Sequence, residues 1–113
     1  MGLSTGVFAE LNRLAAVPAP FVDEDRRAVT YFIQAGDAGL IKIGVTTDFD
    51  KRLRALQMSS PVSLRILGVV AEDIEDYCHV ALFEWRVHGE WFQPVPEVLA
   101  FIEDQLPKQR SVN

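Results

Sequence analysis

The chain has 113 residues, 49% hydrophobic and 24% charged, with a formal net charge of −5, which suits one domain with an appendage and excludes disorder throughout. A single cysteine excludes an internal disulfide framework and a Cys-rich zinc site, so a reducing compartment is expected. No apolar run nears the roughly 18 residues of a membrane span and the first residues lack a secretory pattern, so a soluble, cytoplasmic domain is expected.

Residues 4–16 read as a short amphipathic helix with Val7, Leu11 and Leu14 near one face. Pro18 and Pro20 stop it, because each lacks a backbone donor and restricts the residue before it. Residues 1–25 are therefore read as a helix with a Pro-containing linker, 26–107 as the compact domain and 108–113 as a frayed tail. The runs 28–34 (AVTYFIQ) and 40–45 (LIKIGV) are rich in β-branched and aromatic side chains and predict two strands. Two glycines and an aspartate between them suit an antiparallel hairpin.

Thr47, with Asp50 three residues on, has capping-box spacing and predicts a helix running to about Met58. Ser59-Ser60-Pro61 ends it, and residues 62–70 (VSLRILGVV) predict a third strand. Residues 72–87 predict a second helix, with Ile74, Tyr77, Cys78, Ala81, Leu82 and Trp85 spaced as a buried stripe. Gly89 closes it, Glu90-Trp91-Phe92 is a short extended piece, and residues 96–106 predict a last helix with proline in its first turn. The expected fold class is α+β: a short, mostly antiparallel three-stranded sheet flanked by helices, with an N-terminal helical extension.

Several polar residues interrupt the apolar patterning. On the helix from Phe49, Arg52 falls in one arc with Phe49, Leu53 and Leu56, an inward-facing stripe where a guanidinium needs a partner. That partner is either a salt bridge at the core edge or a bound phosphate or carboxylate. Glu75 lies at the border of the second helix's stripe with His79 one turn on. They are either an exposed pair or a rim at which the carboxylate holds a hard cation. Lys42 interrupts Leu40-Ile41-Lys42-Ile43. If residue 31 pairs with 42, Tyr31 and Lys42 leave the same sheet face, and the ammonium favours the ionised phenol as a general base. A slip by one residue makes Lys42 an edge-strand guard against aggregation instead. Cys78 reads as a small core residue, and the aromatics of His88-Gly89-Glu90-Trp91-Phe92 read as packing.

Charge is distributed unevenly: −3 over residues 1–25, +4 over 26–65 and −6 over 66–113. A basic middle attracts a phosphate locally while the rest repels a long polyanion, although a plain solvated surface has the same count.

Together these positions resemble the GIY-YIG nuclease superfamily. Val29-Thr30-Tyr31 stands at the first motif and Lys42-Ile43-Gly44 at the second. Lys51-Arg52-Leu53 follows at the family's spacing, and Glu75-Asp76-Tyr77-Cys78-His79 then Gly89-Glu90-Trp91-Phe92 is similar to a phage and bacterial branch. The likeness covers about residues 28–106, with Lys42 in place of the second motif's tyrosine. Leu56 stands where many members carry histidine.

The resemblance implies hydrolysis of DNA phosphodiesters with Mg²⁺ or Mn²⁺, RNA remaining open as a substrate. Tyr31 would act on the attacking water with Lys42 assisting, Arg52 would stabilise phosphate charge, and Glu75 would hold the metal. His79 would substitute for the missing histidine. The alternative is a non-catalytic nucleic-acid or protein binding module that keeps the fold. A homodimer or a protein partner would engage the N-terminal helix.

Overall fold

The β-branched and aromatic run after Ala28 forms β1 (Val29–Ala35), and the run after Leu40 forms β2 (Ile41–Thr46). These assignments come from a computed structural model, which describes residues 27–107. The helix expected over 4–16, the linker over 17–25, the partner surface assigned to that helix and the tail over 108–113 lie outside the described residues. Gly36, at φ 72°, turns the hairpin, and the loop closes through Ala35 N–H to Leu40 O and Gly39 N–H to Ala35 O, both 3.0 Å.

The described residues form five strands rather than the expected three. β3 (Leu64–Val70), β4 (Arg86–His88) and β5 (Trp91–Phe92) complete one sheet in the order β3-β1-β2-β5-β4, every neighbouring pair antiparallel. The two added strands come from the segment read as the end of a helix and from the short extended piece after it. The helix expected over 72–87 is only α2 (Glu75–Ala81), followed by a 3₁₀ turn over Phe83–Trp85. Arg86 then turns to extended backbone, and Gly89, at φ 54°, folds the chain back so that Trp91 pairs with Lys42. The helical spacing was real for Cys78 and Leu82, which are buried; Tyr77 is 58% exposed and Ala81 is exposed.

The hairpin register also differs from expectation. Tyr31 pairs with Gly44, and Lys42 pairs with Ile33. The offset is two residues, one full pleat repeat, so Tyr31 and Lys42 still leave the same face. Nor is Lys42 on an edge, since β5 covers β2. The reading of Lys42 as an edge guard is thereby overturned.

The two faces of the hairpin differ. Phe32, Ile41 and Ile43 point to one side and join Phe92, Val70, Cys78, Leu82, Val98 and Ile102 in the core, the last two from α3 (Pro96–Gln105). Each Val, Leu, Ile or Phe among them contributes roughly 1.5–3 kcal/mol when fully buried. The other side carries Tyr31, Ile33, Lys42 and Gly44 beneath α1 (Phe49–Met58), a helix with no buried residue. α1 begins one residue later than expected: Asp48, not Thr47, is the N-cap, accepting from Lys51 N–H at 3.1 Å. Thr46 Oγ1 accepts from Asp48 N–H at 3.1 Å and braces that turn. Among the described residues no helix is long and apolar enough to cross a membrane.

Candidate functional site

The site is built around a missing side chain. A Cβ on Gly44 would lie 2.5 Å from the Tyr31 hydroxyl and 2.9 Å from Glu90 Oε1. Both are closer than non-bonded atoms tolerate, so only glycine lets the phenol and this carboxylate approach β2 together. Tyr31 is fully buried, and a buried hydroxyl needs a partner. Arg52 supplies it, donating from Nη1 to the phenol oxygen at 3.1 Å. Phe49, one turn earlier, lies against the same ring at 5.8 Å between centroids.

Arg52 is placed otherwise than expected. It is exposed rather than set within an inward stripe, and the half-buried residues of α1 are Phe49, Leu53 and Leu56. Arg52 stands on the flank of that stripe at a helical angle from which a long side chain reaches over the phenol while its charge keeps solvent contact. Among the described residues neither the expected burial nor a core-edge salt bridge is what holds it.

Lys42 meets Glu90, Nζ to Oε1 at 2.9 Å, and its ammonium lies 5.4 Å from the centroid of the Trp91 ring. Glu90 is also hydrogen-bonded to Glu75. Two carboxyl groups in contact share a proton best when one is neutral. Burial, then the hydrogen bond and charge of Glu90, then Asp76 and Asp73 push the Glu75 carboxyl up to about 7. For Glu90 burial works against ionisation. The hydrogen bonds from Lys42 and Glu75 and the charge of Lys42 outweigh it and hold Glu90 below the usual carboxylate range.

Glu75 is delivered by β1. Thr30, buried next to Tyr31, donates from Oγ1 to Glu72 O at 2.7 Å and accepts from Ile74 N–H at 2.8 Å. These bonds pin the chain immediately before α2, so Glu75 in the first turn faces β2. His79, one turn on, bonds through Nε2 to the Ile43 carbonyl at 3.0 Å, and its ring meets Phe92 edge-on at 5.0 Å. A carbonyl only accepts, so Nε2 carries a proton. Glu75 and His79 are both half-buried, and each has its own partner, so the reading of them as an exposed pair fails.

Tyr31, Lys42, Arg52 and Glu75 thus gather about Gly44, with His79 bonded to the residue before it. The T5orf172 domain family matches residues 28–105. The chain belongs to that family. T5orf172 domains are found in phage and bacterial nucleases, so this is a nuclease-associated domain. No curated protein and no solved structure matches the chain.

Within this T5orf172 domain Glu90 is the residue that sequence reasoning missed. The available signal was electrostatic: Lys42 stands mid-strand in an apolar run and requires an anion, and Glu90 precedes a strand able to pair there. The resemblance implies a divalent metal at this site. Among the described residues no group of three or more His, Cys, Asp or Glu side chains gathers as a metal cage. Glu90 is taken up by Lys42, so Glu75 would be the carboxylate offered to a Mg²⁺ or Mn²⁺ that keeps most of its waters. Cys78 is not a donor of the site: it is buried, and burial followed by the charge of Glu75 pushes its thiol up to about 11. Beside Lys42 and Trp91 the domain has a hollow of about 400 Å³, walled in part by Leu56 and Ile33.

Proposed function

We propose that this T5orf172 domain is a metal-dependent endonuclease of the GIY-YIG type that hydrolyses phosphodiester bonds in DNA. The observation that carries the reading is the meeting of phenol, guanidinium, ammonium and carboxyl groups around Gly44, drawn from β1, α1, β2 and α2. A pure scaffold has no use for that set, whereas in-line attack on a phosphodiester needs a base, a cation for the phosphate oxygens and a site for a divalent ion.

Arg52, exposed and hydrogen-bonded to Tyr31, exchanges the Tyr31 hydroxyl for a phosphate oxygen when substrate enters. The exchange frees the Tyr31 oxygen to accept a hydrogen bond from the attacking water and orient it, with Lys42 assisting and the proton of that water passing to solvent. Glu75 would hold Mg²⁺ or Mn²⁺, which would supply positive charge to stabilise the leaving oxygen. His79 acts from behind as a positioning residue, its Nε2–H steadying β2 at Ile43 beside Gly44.

The test is nicking of supercoiled plasmid in Mg²⁺ or Mn²⁺. Wild type nicks, and Glu75→Gln abolishes nicking while its circular dichroism spectrum stays native. Equal nicking by both proteins overturns the assignment.

A second reading is a binding module that keeps the fold without hydrolysis. It is favoured by Tyr31 being fully buried and by Lys42 already being paired with Glu90. Retention of DNA by wild type with no nicking in either metal selects it.

A further inference from the structure

The ammonium of Lys42 sits on a four-carbon stem with many rotamers, yet the site needs it in one place. Two residues restrain it, and both come from the same short segment. Glu90 Oε1 accepts from Nζ at 2.9 Å, and Trp91, paired with Lys42 across the β2–β5 ladder, lies under the ammonium at 5.4 Å. The segment is itself fixed by backbone, because Ile43 N–H donates to Glu90 O at 2.9 Å. Glu90 Oε1 and the Tyr31 hydroxyl both crowd the position of a Gly44 Cβ, so the carboxylate that grips Lys42 does so beside the phenol.

We infer that Glu90 is the positioning residue that holds Lys42 against Trp91 and beside Tyr31; its bearing on catalysis rests on the endonuclease reading above. Glu90 does not touch substrate in this role. It acts through Lys42, and removing its grip leaves the lysine free to swing into solvent, where it no longer serves the phenol. Misplacement of a reacting group by about 1 Å is enough to cost roughly a hundredfold in rate.

Lysine side-chain NMR reads the grip without reference to activity. The chain has three lysines, Lys42, Lys51 and Lys108, and the ε-methylene of Lys42, whose ammonium lies over the Trp91 ring, is expected to be shifted upfield by ring current. Loss of that signal in Lys42→Arg assigns it. Glu90→Ala and Glu90→Asp, which withdraws the carboxylate but keeps its charge, are expected to return the signal to the position of the other two lysines. Glu90→Gln, whose amide oxygen still accepts from the ammonium, is expected to leave it upfield. An unmoved signal in both Ala and Asp variants overturns the inference, and the Asp variant decides if the Ala variant does not fold.

In the nicking assay Glu90→Ala and Glu90→Asp are expected to lose about a hundredfold in kcat with KM little changed, and Glu90→Gln to recover most of it. Full activity in a variant whose Lys42 signal has moved overturns the catalytic role. An inactive wild type with a Glu90-dependent Lys42 signal sinks the endonuclease reading alone and leaves the grip standing.

Discussion

The two faces of the β1–β2 hairpin share a backbone and little else. On one face Phe32, Ile41 and Ile43 interlock with Phe92, Cys78, Leu82, Val98 and Ile102, and shape is enough to hold them. On the other, Tyr31, Lys42 and Gly44 lie beneath a helix that buries no residue, and each polar group is held by a named bond to Arg52 or Glu90 or by the space at Gly44. The first face is stabilised by area and tolerates small shifts. The second depends on a few distances, so stability and function should respond separately to changes on the two sides.

The largest stability effect is expected on the apolar face. Phe32→Ala removes a fully buried ring and is expected to lower unfolding free energy by about 3–5 kcal/mol, read from urea midpoints. A loss below about 1 kcal/mol would show that the packed side does not carry the fold. A smaller stability loss with a larger functional one is expected from Gly44→Ala. Its methyl lands on the Tyr31 hydroxyl and Glu90 Oε1, and the overpacking costs about 1–3 kcal/mol. Nicking should vanish while the methyl resonances of Ile41 and Ile43 keep their native shifts. Collapse of both faces together would erase the distinction.

The smallest effect is one of pH and belongs to Glu75. Its carboxyl titrates at about 7 in the folded protein against an ordinary 4.5, so folding favours the protonated form. The resulting stability is fully present below pH about 4.5 and is lost as pH rises through about 7. Without divalent metal, Tm should therefore fall slightly from pH 6 to pH 8 relative to Glu75→Gln, about one unit either side of the value near 7. Ionisation over the same interval is what cation binding by Glu75 requires, so Mg²⁺-dependent nicking should rise across it. A wild-type Tm that runs parallel to that of Glu75→Gln would remove the basis for the rise.

Much of the site could be read before any fold was known, because its residues offend local patterning. Lys42 in an apolar run and Arg52 within the apolar arc of its helix each call for a partner that neighbours in sequence do not supply. The partners themselves were less legible. Arg52 could be placed only to within an arc, and its true neighbour, the Tyr31 hydroxyl, lies 21 residues away. Glu90 passed as part of an aromatic packing motif, since nothing nearby shows that β5 crosses to Lys42. Helical spacing misled over Tyr77 to Trp85, where the chain leaves the helix at Leu82 although apolar residues continue at the same interval.

Chemistry confined to a few consecutive residues was written in the chain itself: the strand runs, the glycine turn, the helix opening at Pro96 and the unusual polar side chains. Those preferences act over a turn or a pleat and need no distant contact to operate. Tertiary structure alone chose the Tyr31–Gly44 register, the two added strands and the carboxylate that grips Lys42. Each of these is a competition among alternative long-range pairings, resolved by which arrangement buries the most apolar surface while leaving no charge without a partner.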